Sequence, residues 1–204
     1  MARKTKTAAQ QTRQDIFEAA LTLFHDRGYS RTTLQEIARA AGVTRGAIYW
    51  HFKDKVDLFI ELKNDIEASS GMRLEDLLLL PVETLDDLQE GLRRFFRNLE
   101  QDRRFRTYFK TVLFRTEFTE ELRPLLEFYQ DKLHRLQKKD LESLQRLQAA
   151  GLIRKELDCA RAALTLRALM VGLLHTWLLD DQAFSISEHG EALLNDFFAG
   201  LRPT

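Results

Sequence analysis

The sequence predicts an all-α protein of about nine helices, arranged as a small N-terminal head and a larger helical body. The chain has 204 residues and only three prolines. Apolar residues recur at intervals of three and four along most of its length, and no segment alternates polar and apolar residues as a half-buried strand does. A chain of this length can hold one small and one larger helical domain, and we predict a boundary between residues 55 and 56.

The first helix is predicted over residues 9–27, where Ile16, Ala20 and Phe24 form an apolar stripe. The preceding segment, MARKTK, is basic but lacks the apolar core that a signal peptide needs. It fits a flexible basic arm that touches phosphates or the minor groove, or a disordered start without a role.

A capping box and a glycine turn predict two short helices next. Thr33 and Glu36 have the T-x-x-E spacing of a capping box. Gly42 ends the first of the two helices because glycine tolerates a left-handed backbone, and Thr44 is a good N-cap for the second. Asp54 is predicted to cap a fourth helix. Two short helices joined by such a turn place the second one in the DNA major groove.

The outer face of the second short helix carries residue types suited to DNA. Arg45 can donate two hydrogen bonds to a guanine edge, and Gly46 lets the helix approach the bases closely. The hydroxyls of Thr44 and Tyr49 can bond phosphates. Further donors are His51 and Lys55. The alternative is a helical hairpin with a solvated polar face.

The pattern AxxxFxxxGYxxTTLxEIAxxAGVTRGAIYWHFxxKxxLF, from about Ala20 to Phe59, resembles the DNA-binding domain of TetR-family transcriptional regulators. The opening MARKTK followed by TRQDIFEAALTLF is similar to the AcrR branch, whose members often repress multidrug efflux genes. The resemblance implies that the DNA-facing residues are Thr33, Thr44, Arg45, Gly46, Tyr49, His51 and Lys55. It implies that Trp50 and Phe52 are mainly packing residues.

Charge and cysteine content agree with a DNA-binding head. Residues 1–55 contain ten Lys and Arg against five Asp and Glu, whereas the rest of the chain contains 21 against 26. This asymmetry assigns the nucleic-acid interaction to the N-terminus. The single cysteine, Cys159, excludes an internal disulfide, and with no export signal it predicts a cytoplasmic protein.

The body is predicted to be helical throughout. The fourth helix begins at Asp54, connects head to body and has one apolar row; Leu74 and Leu77–Leu80 prolong a helix towards Pro81. The fifth to ninth helices are predicted over residues 84–99, 103–114, 120–149, 158–179 and 187–201. The most apolar stretch, Ala168–Leu179, is well short of the roughly 20 residues of a membrane span, so no membrane partner is expected.

Aromatic residues are concentrated between positions 95 and 129. They fit either a packed core or a cavity that is lined by rings and contains a few orienting polar groups. The residues alone favour the core. The resemblance implies instead that this body holds a ligand pocket.

By position within the AcrR-like pattern, the resemblance implies a pocket lined by Glu67, Phe109, Phe114, Glu117, Gln130 and Trp177. A buried carboxylate at Glu67 or Glu117 would favour a cationic member among small lipophilic inducers. The alternative for Glu67 is an exposed ion pair with Lys63, four residues earlier. The alternative for Glu117 is a solvated ion pair.

The last two helices predict self-association. Helix eight is apolar around nearly its whole circumference, so one side needs a cover, and Gly172 would allow a second helix to approach closely. The predicted interface residues are Met170, Gly172, Leu173, Leu194, Phe197 and Phe198. Paired across a two-fold axis they form a four-helix interface, and the resulting homodimer reads a pseudo-palindromic operator in double-stranded DNA. The alternative is a monomer in which helix eight is central.

The predicted function is a ligand-responsive transcriptional repressor of multidrug efflux pump genes that lipophilic compounds release from the operator. The alternatives are a regulator of a metabolic operon that responds to a specific metabolite, or a ligand-binding or partner-binding module unconnected with efflux. No phosphate-binding loop, zinc-protease motif or nucleophile elbow is present, so the chain is predicted to be no enzyme and to carry no cofactor or metal.

Overall fold

The computed structural model describes residues 2–70, 82–117 and 119–203. Within these ranges the chain is helical and contains no strand, which confirms the predicted all-α class. The nine α-helices of the described residues are α1 (Ala2–Arg27), α2 (Leu34–Ala40), α3 (Arg45–His51), α4 (Lys55–Ser69), α5 (Leu85–Gln101), α6 (Arg103–Phe114), α7 (Arg123–Ala149), α8 (Cys159–Leu179) and α9 (Ile186–Ala199). A 3-10 turn, Glu120–Leu122, precedes α7. The predicted helix-prolonging Leu74 and Leu77–Leu80 lie outside the described residues.

The described chain forms two compact units. The first comprises Met1–Ser69 with Arg104–Leu126, and the second comprises Ser70–Arg103 with Glu127–Thr204. The first unit therefore contains the predicted head together with α4 and almost all of α6. The boundary between residues 55 and 56 stays a prediction.

The start of α1 differs from the predicted arm. Residues 2–6 belong to the helix, seven residues before the predicted start at position 9. The segment has no glycine or proline, and its alanine, arginine and two lysines favour the helix. The backbone of these residues is thus helical, and their contact with phosphates or the minor groove stays a prediction.

The core of the first unit is rich in rings. Phe17, Phe24 and Phe59 are fully buried, and Phe24 lies 5.2 Å from Phe59 in an edge-on arrangement. Phe52 closes the end of α3 and packs 5.4 Å from Phe17. Aliphatic residues from α2, α3 and α4 complete this core, namely Ile37, Ile48, Leu58, Leu62 and Ile66. The apolar stripes of α1 and α4 thus hold the two short helices in place.

The second unit is built around contacts of α9 with α5 and α8. Gly190 of α9 is buried, and a Cβ at this position would lie 2.7 Å from the ring of Phe96 on α5. Gln89 of α5 donates a hydrogen bond to Asn195 of α9. Ser185 caps α9, because its hydroxyl oxygen accepts a hydrogen bond from the Glu188 amide at 3.1 Å. The absence of a side chain at Gly190 therefore permits the close packing of α9 on α5.

An ion pair joins α7 to α8 inside the second unit. Arg167 Nε lies 2.6 Å from Asp140 Oδ2, and both side chains are largely buried. Burial raises the pKa of Asp140 to about 6, while the nearby Arg167 guanidinium opposes that rise.

The helix α8 is long and apolar enough to match a membrane span by length and composition. Its most apolar 18-residue window has a mean hydropathy of 1.5, and 39% of that window is buried. Core helices of soluble proteins share this length and composition, so the match does not by itself indicate a membrane span.

Candidate nucleic-acid interface and ligand-binding residues

Local hydrogen bonds define the two short helices as the sequence predicts. Thr33 and Glu36 form the capping box at the start of α2. Gly42 has a φ of 68°, and the amides of Gly42 and Val43 bond the carbonyls of Arg39 and Ala38 at 3.2 and 2.9 Å. This is a Schellman ending, which satisfies carbonyls at the end of a helix. Thr44 Oγ1 accepts a hydrogen bond from the Ala47 amide at 3.2 Å and so caps α3.

The exposed face of α3 presents a guanidinium, a ring and a bare backbone. Arg45 and Tyr49 lie one turn apart, and the guanidinium carbon of Arg45 is 5.6 Å from the centre of the Tyr49 ring. Gly46, which follows Arg45 in sequence, is also exposed. This helix can therefore approach a groove closely, with two hydrogen-bonding side chains already on that face.

The structure corrects the prediction for Trp50. Its side chain is 74% exposed, whereas Phe52 is buried as predicted. The inner side of α3 is filled by Ile48, which is fully buried, and Trp50 lies two residues further round the helix. Trp50 therefore belongs to the exposed surface, where its ring packs edge-on against His51 at 4.6 Å.

The donors of Thr33 are already used. Its amide and its hydroxyl both donate to Glu36 Oε2, at 2.9 and 2.8 Å. These two bonds lower the pKa of the Glu36 carboxyl, so the box is charged at neutral pH. A phosphate contact from Thr33 would have to compete with this carboxylate, whereas the Thr44 hydroxyl is occupied as an acceptor and keeps its proton for another partner.

His51 is half-buried at the end of α3. Burial, and after it the Arg13 guanidinium, lowers the pKa of His51. The imidazole is therefore largely neutral at neutral pH and can offer one N–H donor rather than a cationic contact.

Lys55, one of the predicted DNA-facing residues, has partners within the first unit. Its ammonium donates to the carbonyls of Thr32 and Tyr29, at 3.2 and 3.4 Å, and lies 4.3 Å from the centre of the Tyr29 ring. Glu121 is 3.9 Å away, and only 14% of the Lys55 side chain is exposed. Lys55 thus supports the turn between α1 and α2. The exposed lysine beside α3 is Lys53.

Sequence reasoning missed one residue that positions α3. The Arg13 guanidinium lies over the rings of Phe17 and Phe52, at 5.0 and 5.1 Å, and is 2.5 Å from Glu61 Oε2 on α4. It thus links α1, the C-cap of α3, and α4. The only sequence signal was the spacing of four between Arg13 and Phe17 on one helix face.

The predicted ligand residues of the first unit differ in exposure. Glu67 is buried, and its Oε2 lies 2.9 Å from Lys63 Nζ, with side-chain exposures of 5% and 3%. The exposed Lys63–Glu67 pair offered as an alternative is therefore wrong, because the pair is buried. Phe109 and Phe114 on α6 are half-buried, and Glu117 is exposed. A buried carboxylate is thus present at Glu67 but not at Glu117.

The predicted ligand residues of the second unit also differ. Trp177 is buried, and its indole N–H donates to the Phe184 carbonyl at 2.9 Å. Gln130 is exposed. Trp177 therefore holds the turn after α8, and its indole donor is already occupied.

The predicted dimer residues include both buried and exposed positions. Leu194 and Phe198 are fully buried within the second unit, and Met170 and Leu173 are nearly so. Gly172 is exposed, with open space where a Cβ would stand, and Phe197 is half-buried. The exposed large hydrophobic residues on the same two helices are Leu164, Val171, Leu179 and Leu193.

Comparisons with known proteins agree with this architecture. The family model of bacterial regulatory proteins of the tetR family matches residues 16–62, and the model of the C-terminal region of MAATS-type transcriptional repressors matches residues 83–202. The HTH-type transcriptional regulator AcrR of Shigella flexneri is 37% identical over 189 residues, which cover 92% of this chain and 88% of the relative.

Two solved structures are similar in both sequence and fold. NalD, the secondary repressor of the MexAB-OprM multidrug efflux pump in Pseudomonas aeruginosa, aligns with a TM-score of 0.84 and 32% identity, covering 96% of this chain and 97% of NalD. The SmeT–triclosan complex aligns with a TM-score of 0.79 and 29% identity, covering 94% and 92%; SmeT is a repressor from Stenotrophomonas maltophilia.

Both the helix-turn-helix and the helical body are thus matched, by the family models and by relatives aligned over most of the chain. The matched family consists of transcriptional regulators. On this evidence the chain belongs to the TetR family of bacterial regulatory proteins and is a DNA-binding transcriptional regulator.

Proposed function

We propose that this protein is a homodimeric repressor of multidrug efflux genes, and that small lipophilic compounds release it from a pseudo-palindromic operator. The observation that carries the proposal is the exposed face of α3, where Arg45, Gly46 and Tyr49 stand on a helix held by a side-chain cap and a Schellman turn. The similarity to AcrR and to two efflux-pump repressors supports the choice of regulated genes. We place the protein in the cytoplasm, with its DNA.

The proposed DNA contacts fall into two groups. Arg45 reads a guanine edge, and Gly46 permits the approach that this contact needs. Tyr49 and Thr44 bond phosphates that flank the groove, with Lys53 replacing Lys55 as the phosphate-binding lysine. The remaining proposed members are Thr33, Trp50 and His51. Exposure supports the DNA-facing position of Trp50 and Lys53. The Lys55 ammonium instead has the carbonyls of Thr32 and Tyr29 as partners.

A second copy of the chain is the proposed cover for the outer sides of α8 and α9. Leu164 and Val171 are seven residues apart and thus share a face of α8, and they are 57% and 51% exposed. Gly172 stands beside Val171 with open space around it. On α9, Leu193 is 43% exposed. These outward residues carry the proposed interface, while Met170, Leu173, Leu194 and Phe198 shape it from beneath and Phe197 borders it.

Ligand release requires that binding changes the head. Within the first unit, the end of α6 is bonded to the turn after α1, because the Tyr29 amide donates to the Arg115 carbonyl at 2.9 Å. Together with α4, this contact gives two routes by which a shift near Glu67 or Phe109 would reach α3. The ligand must bind the released state better than the DNA-bound state, and the coupling is reciprocal.

The test is operator binding, followed by release. Binding to the DNA upstream of the gene is measured with scrambled DNA as competitor. We expect tight binding by two protomers per site. The affinity should fall steeply as the salt concentration rises. A lipophilic phenol such as triclosan, which SmeT binds in its solved complex, is expected to weaken that binding. If scrambled DNA competes the binding away, the protein does not recognise a specific operator upstream of its own gene. Specific binding that no lipophilic compound weakens would contradict release by a ligand.

A further inference from the structure

An ion pair between α1 and α4 lies against the residue that ends α3. Arg13 Nη2 on α1 is 2.5 Å from Glu61 Oε2 on α4. The guanidinium carbon of Arg13 is also 5.1 Å from the centre of the Phe52 ring, and Phe52 is the C-cap of α3. One guanidinium thus contacts both α4 and the end of α3.

Phe52 fixes the position at which α3 ends. Its ring is 1% exposed and packs 5.4 Å from Phe17 of α1, while its amide donates to the Ile48 carbonyl at 2.9 Å. A helix of seven residues is marginal by itself, so its ends depend on packing against other segments. A flat guanidinium over the Phe52 ring therefore helps to set the direction of the whole short helix.

The acidic member of the pair is unfavourable for DNA binding by its charge alone. Phosphates repel carboxylates, so a glutamate in the DNA-binding unit opposes association. The side chains of Arg13 and Glu61 are 34% and 38% exposed, and ion pairs of this exposure contribute little to stability. What the carboxylate adds is therefore the placement of the guanidinium.

We propose that Glu61 and Arg13 are positioning residues for operator binding: Glu61 holds the Arg13 guanidinium over Phe52, and this contact fixes the end of α3. This inference rests on the proposed function, because it assumes that α3 is the helix that enters the groove. It has an unusual consequence. Removal of a negative charge from the DNA-binding unit should weaken DNA binding, which is the opposite of what charge alone predicts.

A neighbouring bond between the same two helices provides the comparison. Gln14 of α1 donates to Asp65 Oδ1 of α4 at 2.7 Å. Both side chains belong to α1 and α4, whereas the Arg13 contact also includes the C-cap of α3. Loss of the Gln14 bond therefore separates a role in holding α1 on α4 from a role at the end of α3.

Operator affinity is measured for Glu61→Gln, Arg13→Gln and Arg13→Lys. The probe is a labelled duplex of the DNA upstream of the gene, followed by anisotropy at several salt concentrations and at about pH 8, where imidazoles are uncharged. Asp26→Asn is the charge control, because Asp26 is an exposed acid on α1. Gln14→Ala is the control for contact between α1 and α4, and Arg45→Ala tests α3 itself. Thermal melting checks that each variant folds.

Glu61→Gln and Arg13→Gln should each weaken operator binding by about three- to tenfold, with the slope of affinity against salt unchanged. Arg13→Lys should weaken it too, because an ammonium can pair with Glu61 but cannot lie flat over a ring. Asp26→Asn and Gln14→Ala should stay within about twofold of the wild-type protein. Burial, and after it Arg13, lowers the pKa of His51. Arg13→Gln should therefore raise the pKa of His51, measured by NMR titration.

Failure of the inference can be distinguished from failure of the proposed function. If Glu61→Gln binds as tightly as the wild-type protein or more tightly, or if Gln14→Ala loses as much affinity, the positioning role is overturned. A smaller salt slope in Arg13→Gln would mean that Arg13 contacts a phosphate itself, which also overturns it. Should Glu61→Gln fail to fold, wild-type affinity in Arg13→Lys would overturn the role of the guanidinium. Specific binding retained in Arg45→Ala would instead overturn the proposed reading of DNA by α3.

Discussion

The DNA-facing head and the second unit are both helical, yet their polar side chains are used differently. The ends of α2 and α3 in the head are set by bonds over three to five residues, such as the Thr33–Glu36 box and the Val43–Ala38 bond that closes α2. The second unit depends on pairs far apart in sequence, such as Gln89 with Asn195. Local bonds leave side chains of α3 exposed for a partner, whereas long-range packing uses side chains for the fold itself. Substitutions in the two regions should therefore have different consequences.

The largest expected effect is on operator binding alone. Arg45→Ala should weaken operator binding by about 2–6 kcal/mol, because each guanine contact contributes roughly 1–3 kcal/mol and a dimer makes two. The thermal midpoint should not change, since Arg45 is exposed. Fluorescence anisotropy with labelled operator measures the loss. Arg94→Ala is the control, because it removes an equal charge from the exposed surface of α5. An equal loss of operator affinity in both variants would contradict a base contact by Arg45.

The next effect is on the stability of the second unit. Gly190→Ala places a methyl group 2.7 Å from the buried Phe96 ring. Overpacking of this kind should lower the free energy of unfolding by about 1–3 kcal/mol, measured by thermal or denaturant unfolding. Gly46→Ala is the control, because only Thr44 Oγ1, at 3.9 Å, lies within 4 Å of its Cβ position and Gly46 is outside the proposed dimer interface. Equal midpoints for the two variants would show that α9 can move away from α5 at little cost.

Gly172→Ala should weaken dimerisation if a second helix packs there.

A pair of glycines tests the head in the same way. Gly42→Ala forces a left-handed conformation with a φ of 68° onto alanine and should destabilise the head by about 1–2 kcal/mol. Gly46→Ala meets only Thr44 Oγ1 at 3.9 Å, so the fold should tolerate it or gain about 1 kcal/mol of helix propensity. Its methyl group should nevertheless weaken operator binding. If Gly46→Ala bound operator as tightly as the wild-type protein, the absence of a side chain at Gly46 would not be needed for the close approach of α3 to DNA.

The smallest expected effect is a pH dependence of operator binding. Burial lowers the pKa of His51, so the ring is neutral in the free protein at neutral pH. A nearby phosphate favours the protonated ring, and binding should therefore take up protons. Affinity should rise as the pH falls from about 7.5 to about 5.5, by about 1.4 kcal/mol or less for each unit of pKa gained on binding. The His51→Gln variant, measured at constant salt, should lose that slope. A slope that persists in the variant belongs to another group.

Much of the fold could be predicted because its signals are local. The Thr33 and Thr44 caps and the φ-positive Gly42 each act within a few residues, and their bonds are present in the structure. The site was predicted less completely. Arg13, which holds the C-cap of α3, was missed because its partners Phe52 and Glu61 lie about 40 to 50 residues away.

The sequence by itself determined the helical class, the order of the helices and the helix-turn-helix, because caps, glycines and apolar spacing act over one or two turns. Only the tertiary structure decided which polar side chains remain available. It exposes Trp50, draws the ammonium of Lys55 onto the Tyr29 turn and buries Lys63 with Glu67. The physical reason is that burial and pairing depend on which distant segments pack against a helix, and helix periodicity records the presence of an apolar face but not the partner that covers it.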